Sequence, residues 1–282
     1  MLPNFLIIGA QKAGSSWLGE MLHHHPDVFV CRTGELHFFN ARFKRGLEWY
    51  EKNFESVAGE RAVGEKTPMY LSHPLAAERI KSTLGEDVRM IVSLRHPVDR
   101  AHSQYWHDMR HGRIHTETEF VEAFREREQL RMEGMYGQHL TRFYELFPRE
   151  NMLVFIFEEM IRNRRGALRA CFEFLGVDSE FQPSQPDRRV NQARDVALLS
   201  PQLHKMRTRL KQMPSFLQTP LVQLGRQVFR VLPRERRYDL ISEDVRQELL
   251  GAFADDIGLL EEALGRDLSI WRTPRPQKAG KR

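Results

Sequence analysis

The chain has 282 residues, of which 41% are hydrophobic and 29% charged, with a formal net charge of +5, enough for one large α/β domain. No apolar run approaches the about 20 residues of a membrane-spanning helix, no Ser/Gly-rich linker divides the chain, and basic residues are interspersed with acids, which argues against a nucleic-acid-binding stripe. Only nine of the 43 basic residues are lysines, so the positive charge is carried mainly by arginine, which suits bidentate phosphate and sulfate recognition.

Cys31 and Cys171 lie in apolar runs and read as buried thiols, and no CxxC or HExxH spacing marks a metal site. Met1–Asn4 leads into the first strand without a basic n-region or cleavage site, so the expectation is a soluble, cytoplasmic protein. Residues 1–273 are expected to form one domain, and 274–282 a disordered basic tail.

Phe5-Leu6-Ile7-Ile8 reads as a buried strand. It is followed by the turn Gly9–Gly14 and by a helix-period segment through Leu18, Met21 and Leu22. Glycines at both ends of the turn allow close backbone approach to an anion. Ser15 and Ser16 add hydroxyls, the helix N-terminus adds its positive dipole end, and Lys12 adds a compact charge. The Gly-x-x-x-x-Gly spacing is that of a nucleotide P-loop, but Ser15 stands where such a loop carries lysine. The turn is therefore either an anion cradle with its lysine displaced into the loop or an ordinary strand–helix connection.

Val28–Cys31 reads as a second short strand. The preceding His23–His25 do not favour a metal reading, because consecutive helical residues point in different directions. In Glu35-Leu36-His37-Phe38-Phe39 an extended backbone would set Glu35 and His37 on one face, with the phenylalanines raising the carboxylate pKa by desolvation. The pair is then either an acid–base device or a surface carboxylate beside a structural imidazole. Ala62–Pro68 reads as a strand ending in the charged corner Glu65-Lys66, and Pro74–Leu84 as a helix.

Val88–Leu94 carries the strongest buried-strand signal. It ends at Arg95, and Pro97 opens the next helix, on which Ser103 lies. Arg95 and Ser103 fit a second anion at a strand's carboxyl end; alternatively, Arg95 pairs with Asp99 and Ser103 is a small helix residue. Helical periodicity marks Glu119–Arg131, Tyr136–Phe147, Ala167–Leu175 and Glu243–Leu264, and Met152–Phe157 reads as a strand. Asp178–Arg194 is polar and basic: a loop closing over an anion, or a solvated arm. Pro214–Pro233 reads as sheet-packed, with a membrane- or acceptor-contacting helix as the alternative. Alternating strands and helices argue an α/β fold with a central, mainly parallel sheet flanked by helices.

The strand before Arg95 ends in Ser93-Leu94, where a magnesium-dependent NTPase would offer an aspartate, which points to a nucleotide handled without metal. Phe5–Leu18 and Ile91–Ser103 resemble the 5′-phosphosulfate loop and 3′-phosphate site of sulfotransferases that use 3′-phosphoadenosine 5′-phosphosulfate (PAPS). Glu35–Phe39 and Glu65-Lys66-Thr67-Pro68 are similar to the E-x-H-F-F and E-K-T-P segments of the heparan sulfate glucosaminyl branch, and Leu260–Trp271 to the end of bacterial members.

The resemblance implies a P-loop-like three-layer fold in a bacterial, cytoplasmic enzyme. PAPS is the implied donor, adenosine 3′,5′-bisphosphate the product, and no metal is required. It implies that Lys12, Ala13, Gly14, Ser15, Ser16 and Trp17 hold the 5′ end and that Arg95 and Ser103 hold the 3′-phosphate. Glu35 is the implied base, with His37 orienting it or the acceptor, and Lys12 and Lys66 neutralise charge on the bridging oxygen. The late Lys-Gly-Arg loop of the eukaryotic branch is not found; Arg188, Arg189 or Arg194 are the substitutes considered. The implied acceptor is a hydroxyl or amine of a carbohydrate or lipid-linked molecule, met by loops near Phe38–Lys44, Met109–Thr118 and Ser179–Arg194. A P-loop-type kinase or NTPase and a non-catalytic anion-binding module are the alternatives; oligomeric state is not legible.

Overall fold

The computed structural model describes residues 1–184 and 238–274. Its sheet holds β1 (Phe5–Gly9), β2 (Val28–Val30), β3 (Ala62–Lys66), β4 (Arg89–Leu94) and β5 (Met152–Ile156) in the order β2-β3-β1-β4-β5. All four pairings are parallel. β1 is therefore central and buried along its whole length, as its uninterrupted apolar sequence requires.

Helices α1 (Ser15–His23), α2 (Leu47–Glu51), α3 (Ala76–Leu84), α4 (Pro97–Arg110), α5 (Phe120–Glu126), α6 (Glu128–Met132) and α7 (Tyr136–Tyr144) precede β5; α8 (Phe157–Met160) and α9 (Arg164–Leu175) follow it. After the second described stretch begins come α10 (Glu243–Leu250), α11 (Ala254–Leu264) and α12 (Ser269–Arg272). Strand alternation divides them between two faces. Phe5 and Ile7 pack with α1 and α9 through Trp17, Leu18, Leu168 and Phe172. Leu6 and Ile8 face the larger core built by α3, α4, α7 and α11, with Ile80, Val98, Leu140 and Leu260. Cys31 and Cys171 are buried free thiols.

The chain leaves β1 for β2, returns to β3 beside β1, and then crosses to β4 on the other side of β1. In open α/β sheets such a reversal opens a crevice at the strands' carboxyl ends. The segments that follow β1, β3 and β4 meet there.

Two expected helices are interrupted. Arg127 adopts an extended conformation between α5 and α6, and the break brings Leu130 into the same core as Phe124, at a six-residue spacing no single helix face provides. Between α10 and α11 a 3-10 turn at Gly251–Phe253 turns Phe253 fully inward. Among the described residues no helix is long and apolar enough to cross a membrane. The stretches from Gln185 to Arg237 and beyond Pro274, including Arg188, Arg189, Arg194, Pro214–Pro233 and most of the tail, lie outside the described residues.

Candidate active site

The turn after β1 is shaped by backbone and by β4. Ala10 N–H donates to Ser93 O (2.8 Å), and the buried Ser93 hydroxyl donates to Ala13 O (2.6 Å), so the end of the neighbouring strand grips both arms of the loop. A Cβ at Gly9 would stand 2.6 Å from Leu71 Cβ. Gly14 has φ +93, a conformation that favours glycine, and a Cβ there would meet the tip of Met160 at 2.8 Å and the Phe157 ring at 3.0 Å. Gly14 offers no side-chain cap to α1, and the first amides of a helix have no partner within it. Ser15 is buried and Ser16 partly so at this N-terminus, an arrangement suited to an anion.

Lys12 sits in the loop in a left-handed conformation (φ 67). Burial, and secondarily Arg110, lower its amine from about 10.5 to about 8, against the opposing pull of Asp108, Glu35 and Glu133. Arg95 Nη1 donates to Lys12 O (3.2 Å), which ties the arginine after β4 to the loop after β1. The Arg95 guanidinium lies 5.2 Å from the Phe157 ring centre, and its carbonyl accepts from the Tyr136 hydroxyl (2.9 Å). The next residue, His96, donates its amide to Glu158 (3.0 Å), and Glu158 also accepts the Trp271 indole N–H (3.1 Å). Asp99, one candidate partner for Arg95, forms an ion pair with Arg246 at 3.4 Å.

Across the crevice, Lys66 Nζ donates to Glu35 Oε1 (3.0 Å), and His37 Nε2 stands 3.5 Å from Glu35 Oε2. The expected geometry of this segment is corrected. His37 has φ 54 and opens a π-helical turn over Phe38–Arg42, so Glu35 and His37 meet through a reversal of the chain and not along an extended face. The cause is Phe38-Phe39: both belong to the larger core on one side of the sheet, and consecutive residues of an extended strand point to opposite sides. Their rings pack on Tyr50 and Tyr70, with Phe38 stacked on Tyr50 at 4.3 Å. The carboxylate beside these rings is Glu65, fully buried, and burial raises its pKa.

Lys12 and Arg95 thus form one group and Glu35, Lys66 and His37 a second, coupled through the field of Glu35 at Lys12. Ser103 is half-buried on α4, with no side-chain hydrogen bond to either group among the described residues. Sequence reasoning missed His107, on which the charge of Lys12 acts, and Arg110, which acts on Lys12; both share a helix face with Ser103 at spacings of four and seven. That spacing was the available signal once Pro97 was taken as a helix start. Burial, then Lys12, lowers the His107 pKa to about 3. His25 is buried, its ring bonded to Asp178 O and Asp27 N, while the His23 ring meets Arg32. Among the described residues no three His, Cys, Asp or Glu side chains are grouped to hold a metal ion.

A parallel helix-flanked sheet with a glycine-bounded turn after its central strand, a lysine in that turn and an arginine after the neighbouring strand β4 defines a P-loop-like α/β protein. Residues 2–213 match the sulfotransferase domain family model, and the chain belongs to that family. The structure of a sulfotransferase from Alicyclobacillus acidocaldarius superposes with a TM-score of 0.73 at 28% identity, covering 97% of this chain and 100% of that one. Membrane-associated sulfotransferase kil1 of Dictyostelium discoideum is 39% identical over 107 residues, 37% of this chain and 22% of that protein. Heparan sulfate glucosamine 3-O-sulfotransferase 3B1 of Mus musculus is 33% identical over 184 residues, 62% of this chain and 46% of that protein. The aligned regions cover less than half the length of these two curated relatives.

Proposed function

We propose that this protein transfers a sulfonate group from PAPS to a hydroxyl or amine of a glycan or other carbohydrate-bearing acceptor. The observation that carries the reading is that Lys12, joined to Arg95, and the Glu35–Lys66 pair stand at the carboxyl ends of the adjacent parallel strands β1, β4 and β3. Family membership supports the reaction, and the name of the mouse relative supports a glycan acceptor. In this reading the Gly9–Gly14 turn and the first turn of α1 hold the 5′-phosphosulfate, while Arg95, with Ser103, holds the 3′-phosphate. Of the late arginines considered for that phosphate, Arg189 and Arg194 remain candidates by sequence alone.

Glu35 takes the proton from the acceptor as its oxygen or nitrogen attacks sulfur. The bond from sulfur to the bridging oxygen breaks, and the electron pair leaves with adenosine 3′,5′-bisphosphate. Lys66, hydrogen-bonded to Glu35 at 3.0 Å, holds the carboxylate in place, and Lys12 stabilises the charge that grows on the bridging oxygen. His37, 3.5 Å from Glu35, orients the carboxylate or the acceptor.

Calorimetry with adenosine 3′,5′-bisphosphate, and transfer of labelled sulfonate from PAPS to heparan sulfate and a glycan panel, test this. Glu35→Gln is expected to bind the bisphosphate as wild type does and to lose about 10²–10⁴-fold in turnover, the usual contribution of a general base. Unchanged turnover in that variant removes Glu35 from the role. Magnesium-dependent ATP turnover by the wild type would replace the whole reading with that of an NTPase.

A further inference from the structure

Glu65 has no counterpart in the chemistry above, yet it is wholly buried one residue before Lys66. Strand alternation sends the two side chains to opposite faces of the sheet. Lys66 runs past α1, where a Cβ at Gly19 would lie 3.4 Å from its Cδ, and reaches Glu35. Glu65 points into the core on the other face, where it collects hydroxyls. Tyr50 and Tyr70 donate to Oε1 at 2.9 and 2.7 Å, and Thr67 donates to Oε2 at 2.7 Å.

Two of these hydroxyls are themselves acceptors for the segment that carries the proposed base. His37 N–H donates to Thr67 Oγ1 (3.3 Å) and Phe38 N–H to the Tyr70 hydroxyl (2.9 Å), while Leu36 N–H bonds Glu65 directly. Three consecutive amides after Glu35 are thereby satisfied by one carboxylate and the hydroxyls it orients. A non-glycine residue persists in a left-handed conformation only where its surroundings over-determine it, and His37 is such a residue.

We infer that Glu65 is a positioning residue: through Thr67 and Tyr70 its carboxylate clamps the 36–38 backbone to the end of β3 and so sets where Glu35 stands relative to Lys66. The catalytic consequence rests on the proposed sulfonate transfer; the clamp does not. Glu65→Gln replaces an acceptor-only group with an amide that presents donors to donors. Thr67→Val removes one link and leaves the carboxylate in place, so it carries the test if Glu65→Gln does not fold. Thr67→Ser keeps the hydroxyl and is the rescue.

Amide-resolved hydrogen exchange on the full chain is expected to show His37, whose amide loses its acceptor, exchanging at least tenfold faster in Thr67→Val, at wild-type rates in Thr67→Ser, with β1 and β4 unchanged; in Glu65→Gln, where it folds, Leu36 and Phe38 are expected to follow. With PAPS and N-sulfated heparan sulfate as the probe acceptor, kcat is expected to fall at least thirtyfold in Thr67→Val. The donor KM and the Kd for adenosine 3′,5′-bisphosphate should stay within twofold. Unchanged protection at 36–38 in the folded variants overturns the clamp, and lost protection with unchanged kcat overturns the positioning role. A wild type that neither binds the bisphosphate nor transfers sulfonate overturns the proposed function instead, and the exchange comparison still decides the clamp.

Discussion

Lys12 is the residue at which burial and charge conflict most openly. An amine that burial holds near 8 is fully charged only below that pH, and anion binding favours the charged form. Affinity for adenosine 3′,5′-bisphosphate is therefore expected to fall as pH rises above 8, by up to about tenfold per unit. The slope should vanish in Lys12→Met, measured by calorimetry between pH 6.5 and 9.5. The same shift acts on the free fold with the opposite sense. Between about 8 and 10.5 the unfolded chain binds more protons than the folded one, so this group's contribution to stability rises with pH there, and its cost is fully present at pH 7. Lys12→Met is accordingly expected to raise the Tm of the ligand-free protein at pH 7 while it weakens anion binding. The Glu35–Lys66 pair differs: it is partly exposed, and such pairs contribute about 0–1 kcal/mol, too little to hold the segment in place. Hydrogen bonds to a buried charged group contribute about 1.5–3 kcal/mol each, which makes Glu65 the stronger anchor.

Among the elements, the β1–α1 connection depends on what surrounds it. Gly14 is held at φ +93 under Met160 and Phe157 at the ends of α8, so Gly14→Ala combines backbone strain with overpacking. A cost of about 1–3 kcal/mol is expected in denaturant unfolding, together with weaker bisphosphate binding because the loop must move off the anion. α9, which packs on the same face, is bounded by identifiable signals: Asn163 Oδ1 accepts from Gly166 N–H at 3.0 Å, and Gly176 ends the helix at φ 74. The stop at Gly176 was readable locally, whereas the start, expected at Ala167, lies at Arg164 after the Asn163 cap; the interruption at Arg127 was not readable, because it serves the burial of Leu130.

For the molecule as a whole, the end of the described chain returns to support the site. α12 places Trp271, fully buried, beside the Arg95–His96 turn, where Glu158 bonds both the His96 amide and the indole, and the Trp271 carbonyl meets the His96 ring at 3.1 Å. Trp271→Ala is expected to cost about 3–5 kcal/mol in denaturant unfolding. It is also expected to lower bisphosphate affinity, since the turn that carries Arg95 loses its backing. Wild-type affinity in a destabilised variant would limit α12 to the core.

Contiguous signals decided what sequence alone could determine: the alternation of strands and helices, the lysine-bearing turn, Arg95 after a buried strand, and the Glu35–His37 pair as a candidate. Each rests on near neighbours in the chain, where side-chain period and turn chemistry act. The strand order that puts β1 between β3 and β4 is set by which apolar faces bury one another. With that order came the joining of Arg95 to Lys12, the pairing of Glu35 with Lys66 across 31 residues, and the action of Arg110 on Lys12. The turn at His37 had the same origin, since burying Phe38 and Phe39 together overrode the extended backbone that their neighbours' alternation implied. Glu65 read only as one half of a charged corner until folding brought Tyr50, Thr67 and Tyr70 around it, because a buried carboxylate is defined by the donors that reach it and not by its place in the chain.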